Sequence, residues 1–444
     1  MLQFDRAKLR TFFWFVSLQV AALLISAAFS LVLLKRYYYV ELDIDIFGDF
    51  RNLLGVLYAF PNPYDTGVEG ISVSYPPFAL LFYLPYLLLY YVFGPMDWVQ
   101  CLSLVLFLAA PLYVIVCIFF KLFEKRDIPQ LLPIFLTFPF LFLICRANVL
   151  IYCFTFVLLF LLWYRSKEKW KRELALAFLA AASAIKFYPL AFLMLLLLER
   201  RLWDIARCLL YFAALFFLPF LFFKGGFGNV ALFAGNMRYF ADTTLDFSAI
   251  KCDNYSFVTL IQTLCYTFSG SIPSHALPAA NFIVSTLFLL SVAAFSFALE
   301  ERWKVLALLA LAVILIPTVS YIYTQVFFIP AFVCFLCSGR LKKGDVLYLA
   351  LFLLILMPPN RLFLGYDPAT KVPINYPWYY NNPDAEFAVG WTPIESPVNT
   401  FIMMFSVLAL YLLLAADAAV AFTKKAKEKG FCQACKSIFS RKDI

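Results

Sequence analysis

Long apolar runs alternate with short polar clusters along the whole chain, and the runs set its architecture. Thr11 to Leu34, Trp98 to Leu122 and Thr400 to Phe422 are each about as long as the roughly 20 apolar residues that cross a hydrocarbon core of about 30 Å. Lipid offers no partner to an open strand edge, so such segments are helices. Runs beginning near residues 11, 98, 130, 149, 171, 188, 206, 278, 303, 321, 345 and 400 predict about twelve transmembrane helices with both termini on one side. Several are short and come as hairpins: Gln130 to Cys145 with Val149 to Tyr164, Leu174 to Ile185 with Pro189 to Leu198, and Val305 to Pro317 with Val326 to Cys337. Their tips carry Arg146 and Asn148, Lys186 and Tyr188, and Ser320, Tyr321 and Tyr323. Irregular polar backbone at membrane depth normally lines a cavity, so three such tips predict the floor of a site.

Orientation comes from the basic clusters. Arg6 to Arg10, Lys121 to Arg126, Arg165 to Arg172, Arg200 to Arg207, Arg302 to Lys304, Arg340 to Lys343 and Lys424 to Lys442 all belong in the cytoplasm by the positive-inside rule. The hairpin tips, Tyr37 to Tyr75, Gly225 to Ser256 and Asn360 to Val398 then face outward. A crossing at Pro77 to Gly94 would flip every later loop, so this segment is expected to be a re-entrant or surface helix pair broken by Pro85. The expected organisation is one all-α, polytopic membrane domain over 1–423 and a basic cytoplasmic tail over 424–444. Within that domain lie a large first outer loop (35–97) and a late outer loop (360–398) acting as a cap.

Composition agrees: 64% of the residues are hydrophobic, 20% aromatic and 14% charged, outside soluble usage. A net charge of +9 raises nucleic acid as a partner, but the basic residues are dispersed between apolar runs and form no single patch, so membrane lipids are the partner they imply. Eleven cysteines are scattered, mostly singly inside apolar segments, and imply no disulfide framework. Cys432 and Cys435 form a C-x-x-C in the tail, a spacing compatible with metal or lipidation, with no second ligand pair following. The first apolar run is too long for a cleavable signal peptide and is expected to stay as an anchor.

Acids concentrate in the first loop: Glu41, Asp43, Asp45, Asp49, Asp65 and Glu69. Asp65 sits in the turn-forming Asn62-Pro63-Tyr64-Asp65 and reads as a solvated turn residue. Asp43, Asp45 and Asp49 are embedded among Ile44, Ile46, Phe47 and Phe50, where partial desolvation favours a general base. Clustered carboxylates also suit a divalent metal at Asp43 and Asp45. The single histidine, His275, stands beside a predicted span and reads as incidental. Serine-hydrolase, zinc-protease, P-loop and Rossmann patterns are absent, and Gly225-Gly226-Phe227-Gly228 lacks the strand and helix that phosphate cradling needs.

These residues resemble family 87 glycosyltransferases, multispan GT-C enzymes that take a sugar from a polyprenyl phosphate. The family's acidic DF patch, NPY turn and YPP element resemble Asp49-Phe50, Asn62-Pro63-Tyr64 and Tyr75-Pro76-Pro77, with Pro85 as the further proline. Its GQxN resembles Arg146-Ala147-Asn148, with Arg146-Ala147 where the family has Gly-Gln; its KxxPL resembles Lys186 to Leu190, and its NxS resembles Asn254-Tyr255-Ser256. Its SPxSWxHH resembles Ile316 to Tyr323, with aromatic and hydroxyl residues replacing the paired histidines.

The resemblance implies a mannosyltransferase-like enzyme of the cell membrane with an extracytoplasmic active site. It implies a polyprenyl-phosphate sugar donor, a lipid or cell-envelope glycan acceptor, and inverting transfer without a metal cofactor. Asp49 is the first choice for the general base and Asp45 the reserve; Lys186 and Arg146 are the cations for the donor phosphate. Tyr75, Asn148, Tyr188, Asn254, Ser320, Tyr321 and Tyr323 are the substrate-contacting candidates. Trp378, Tyr379, Tyr380 and Trp391 suit a sugar-contacting cap or an interface anchor. The rival reading is a multispan transporter or lipid-linked-sugar flippase, in which Arg146 and Lys186 line a translocation path; no internal repeat of the kind common in transporters is visible.

Overall fold

The computed structural model of the protein describes residues 3–18, 47–65, 73–94, 96–125, 127–244, 254–270, 276–356, 366–367, 372–373 and 397–429. These residues are overwhelmingly helical. The first helix, α1, covers residues 6–18. Three short or medium helices follow, α2 (Gly48–Leu57), α3 (Pro77–Leu81) and α4 (Leu84–Phe93), before the long α5 (Asp97–Leu122). Next come α6 (Leu132–Phe135), α7 (Phe138–Arg146), α8 (Leu150–Trp163), α9 (Lys169–Ile185), α10 (Leu193–Leu198) and α11 (Leu202–Phe217). The remainder is α12 (Asn229–Thr244), α13 (Phe257–Ser269), α14 (Leu277–Ala298), α15 (Arg302–Leu315), α16 (Phe328–Leu336), α17 (Asp345–Leu356) and α18 (Pro397–Lys429). The strand pairing among the described residues is a two-residue antiparallel bridge, Tyr366 with Pro373 and Asp367 with Val372.

Proline and left-handed backbone set many of the breaks. Pro77 opens α3 and Pro85 lies in the first turn of α4, positions where a missing N–H costs the helix nothing. The α3–α4 pair is therefore broken at Phe82–Tyr83, just ahead of Pro85. Ala147, at φ 46°, ends α7, and Lys186, at φ −147° and ψ 134°, ends α9 two residues before a proline-containing 3-10 turn, Tyr188–Phe192. A second 3-10 turn, Ile322–Phe327, leads into α16.

The hydrophobic pattern sorts the helices by depth. Every residue of α15 from Val305 to Leu315 is buried, as expected for a helix apolar on all sides at the centre of a bundle. It packs along α16 and α14, while α8 packs along α9 and α9 along α11. By contrast α5 and α14 leave large side chains uncovered, including Tyr113, Val105, Phe282 and Leu290. An exposed surface this apolar belongs in lipid. The protein is a membrane protein.

Among the described residues four helices are long and apolar enough to cross a membrane: Asp97–Leu122, Leu202–Phe222, Leu277–Ala298 and Ile402–Glu428. A fifth span is possible by the same measure if Ile128–Phe135 and Phe138–Arg146, bent by 68°, form one. Shorter apolar helices such as Leu150–Trp163, Tyr188–Leu198, Ile322–Leu336 and Asp345–Leu356 make up much of the rest. Among the described residues, length and composition thus support four or five of the expected twelve crossings; the others stay an expectation, and most of the first of them, Thr11 to Leu34, lies outside the described residues.

One end of the bundle is tied by charge. Lys8 is buried, donating to the Ser338 carbonyl at 2.8 Å and pairing with Asp345 at 3.1 Å, which holds the start of α1 against the α16–α17 turn. Nearby chain turns carry Arg201, which donates to the Tyr164 carbonyl at 2.5 Å, and Arg302, which lies 5.4 Å from the Tyr164 ring. The basic clusters at 165–172, 200–207 and 302–304 therefore gather at this end. The tips 146–149, 186–188 and 318–323 lie at the far ends of the same helices.

Candidate active site

Asp49 lies in the first turn of α2, where the unpaired N–H groups of a helix start favour a negative charge. Its position is fixed from the backbone outward. Phe47, the residue capping α2, is left-handed at φ 62°, and its N–H donates to the Cys145 carbonyl at 2.7 Å. That bond uses one of the orphan carbonyls at the end of α7 and brings the start of α2 to the tip between α7 and α8.

At that tip two side chains take one carboxylate oxygen each. Arg146 Nη2 donates to Asp49 Oδ1 at 2.5 Å and Asn148 Nδ2 donates to Asp49 Oδ2 at 2.8 Å. Asn148 is fully buried, and its carbonyl end accepts from the Leu150 N–H at 2.9 Å, an asparagine turn that starts α8. The same Nδ2 reaches the hydroxyls of Tyr75 at 3.3 Å and Tyr323 at 3.4 Å. Lys186 Nζ lies over those two rings, 5.1 Å from the centroid of Tyr75 and 5.9 Å from that of Tyr323, within the range of cation–π attraction.

Six of the candidates thus meet in one cluster: Asp49, Tyr75, Arg146, Asn148, Lys186 and Tyr323. Ser320 and Tyr321 flank it, with the Tyr321 ring 5.6 Å from that of Tyr323. Asn254 braces the same tip, its Nδ2 donating to the Thr318 carbonyl at 2.9 Å and its Oδ1 accepting from the Ser320 N–H at 2.8 Å. Tyr188 opens the 3-10 turn after Lys186, and its ring meets Phe327 at 5.9 Å. Asp45, Asp43, His275, Trp378, Tyr379, Tyr380, Trp391, Cys432 and Cys435 lie outside the described residues. Among the described residues no three His, Cys, Asp or Glu side chains gather closely enough to hold a metal ion.

A family model for glycosyltransferase family 87 matches residues 74–340, more than half of the chain. The chain belongs to that family. It is therefore an enzyme, a membrane glycosyltransferase, and the transporter reading gives way. No curated protein and no solved structure matches the chain. The family match begins after Asp49 but contains Tyr75, Arg146, Asn148, Lys186, Asn254 and Tyr323. Geometry, not the match, joins Asp49 to them.

Three supporting residues escaped the sequence. Tyr64 donates its hydroxyl to the Tyr75 carbonyl at 2.9 Å; burial pushes its phenol pKa up, so the hydroxyl stays protonated and keeps donating. Phe142 stacks on Tyr323 at 5.9 Å. Gln325 is fully buried with neither end of its amide paired, and the Ser320 hydroxyl is likewise buried and unpaired. Each such group costs about 1–3 kcal/mol, which a polar ligand or water relieves. The NPY pattern points at Tyr64 as a turn residue; nothing in the sequence distinguishes Gln325.

Proposed function

We propose that this glycosyltransferase moves a sugar, mannose or a related hexose or pentose, from a polyprenyl-phosphate donor to a lipid or cell-envelope glycan acceptor. The observation that carries the reading is the cluster itself: a carboxylate gripped on both oxygens, joined through Asn148, Tyr75 and Tyr323 to a lysine. A polyprenyl chain cannot leave the bilayer, so its head group is presented at a tip between helices, where this cluster lies. The acceptor hydroxyl attacks the anomeric carbon as Asp49 takes its proton. The bond from that carbon to the phosphate oxygen breaks, and polyprenyl phosphate leaves with its negative charge met from the cationic side of the cluster, for which Lys186 and Arg146 are the two candidates. A single displacement inverts the anomeric configuration. Tyr75, Asn148, Tyr188, Asn254, Ser320, Tyr321, Tyr323 and the unpaired Gln325 supply contacts to the sugar and acceptor.

The opposed ends of the bundle support an extracytoplasmic site in the cell membrane. The positive-inside rule places the Arg165, Arg201 and Arg302 end in the cytoplasm, and the Asp49 end is the other one. On this reading residues 35–97 form an outer loop carrying the catalytic acid, 360–398 form a cap, and 424–444 form a cytoplasmic tail. Mass spectrometry of lipid-linked sugars tests it. Cells lacking the protein should accumulate one polyprenyl-phosphate sugar, wild-type protein should clear it, and Asp49→Asn should not. Clearance by Asp49→Asn and also by Asp45→Asn would end the proposal.

A further inference from the structure

The two cations of the site are held in different ways, and the difference divides their work. We propose that Arg146 is a positioning residue for Asp49, and that the donor phosphate falls to Lys186. The inference rests on the transferase reading above and assigns roles within the same site.

Arg146 is committed to the carboxylate from the backbone up. In a continuous helix, residues 146 and 148 would point about 200° apart around the axis. The left-handed Ala147 between them breaks the helix and turns both side chains onto Asp49, one on each oxygen. On the opposite strand of contacts Phe47 is also left-handed. Among the described residues only three non-glycine residues have positive φ, and two of them flank this pair. Such strain persists where the surroundings over-determine it, commonly at functional sites. With one donor on each oxygen the carboxylate cannot rotate, while its remaining lone pairs stay available to an acceptor hydroxyl.

A guanidinium bound to a carboxylate presents a nearly neutral pair to an approaching phosphate. Lys186 differs: among the described residues it pairs with no carboxylate, and its ammonium lies against the Tyr75 and Tyr323 rings. Among the described residues its charge is the one beside Asp49 that no carboxylate compensates.

Full-length protein in nanodiscs, probed with farnesyl phosphate, a single-chain isoprenoid phosphate without sugar, separates the roles. The Asp49→Asn/Arg146→Gln double variant removes both charges together and should bind the probe within about twofold of wild type, while Lys186→Ala should weaken binding by about tenfold or more. A double variant as weak as Lys186→Ala overturns the proposal. With the accumulating donor as substrate, Arg146→Lys should lower kcat while leaving the donor KM within about twofold; a raised donor KM at constant kcat overturns it, and this arm serves if Arg146→Gln fails to fold. Should no variant alter farnesyl phosphate binding, the Lys186 assignment is wrong and the inference falls with it. Transfer surviving in Asp49→Asn instead removes the catalytic reading beneath it, so the two failures are distinguishable.

Discussion

At the tip end of the bundle one carboxylate, Asp49, is held by Arg146, 97 residues away, and by Asn148, 99 residues away. At the other end charges are many and their partners close. Arg201 pairs with Glu199 and with Asp204, Arg207 with Asp204 and Glu173, and Arg165 with Glu199. Two of these pairs span a single helical turn. The second arrangement is redundant, since Glu199 and Asp204 each pair with two cations. The first is not, since Asn148 is fully buried and no second acid in the described residues shares the cluster. Redundancy marks an anchoring network that tolerates loss; its absence marks a device in which each atom has one task.

The sharpest way to break that contrast is to neutralise one acid at each end. Asp49→Asn should lower sugar transfer by about 10²–10⁴-fold, the range lost with a general base, while Glu199→Gln leaves transfer near wild type. Equal losses in the two variants, measured on purified protein, would erase the distinction. Next in size, Lys186→Ala should cost about 10²-fold in kcat/KM, comparable to deleting one preorganised donor at a developing anion. Asn148→Ala should follow at about 10- to 100-fold, from a lost hydrogen bond to a charged group worth about 1.5–3 kcal/mol. Because Asn148 Oδ1 also accepts the Leu150 N–H at the start of α8, this variant should lower the melting temperature as well, by the cost of that lost hydrogen bond.

The contrast also explains what the sequence could and could not yield. Helix positions followed from apolar periodicity and proline, both local, so α5, α8, α14 and α15 begin within a few residues of their expected starts. The three polar tips followed from the same pattern, because a charge between two short apolar runs is visible in one window of sequence. What Arg146 touches was not visible. A cation at a tip looks the same whether it awaits a phosphate or holds a carboxylate, and the choice depends on the Phe47 to Cys145 bond between distant segments. The 68° bend between α6 and α7 was likewise hidden, since a continuous apolar run does not report the angle at which its halves meet. Asp49 could be preferred over Asp45 only through its local motif; the contacts of Asp49 now support that preference, while Asp45 lies outside the described residues.

The smallest predicted effect is the most discriminating for the anchoring end. Arg207 is more exposed than either acid it pairs with, Glu173 and Asp204. Exposed pairs of this kind contribute about 0.2–1 kcal/mol each, and Asp204 retains Arg201 at 2.6 Å when Arg207 is gone. Arg207→Gln should therefore change transfer by less than about twofold and stability by less than about 1 kcal/mol. Its effect should shrink further in high salt, which screens exposed charges most and the half-buried Asp49–Arg146 pair less. A loss that is large and insensitive to salt would mean that the Arg207 network is coupled through α8 and α9 to the site at their far ends, and the two ends would then have to be treated as one machine.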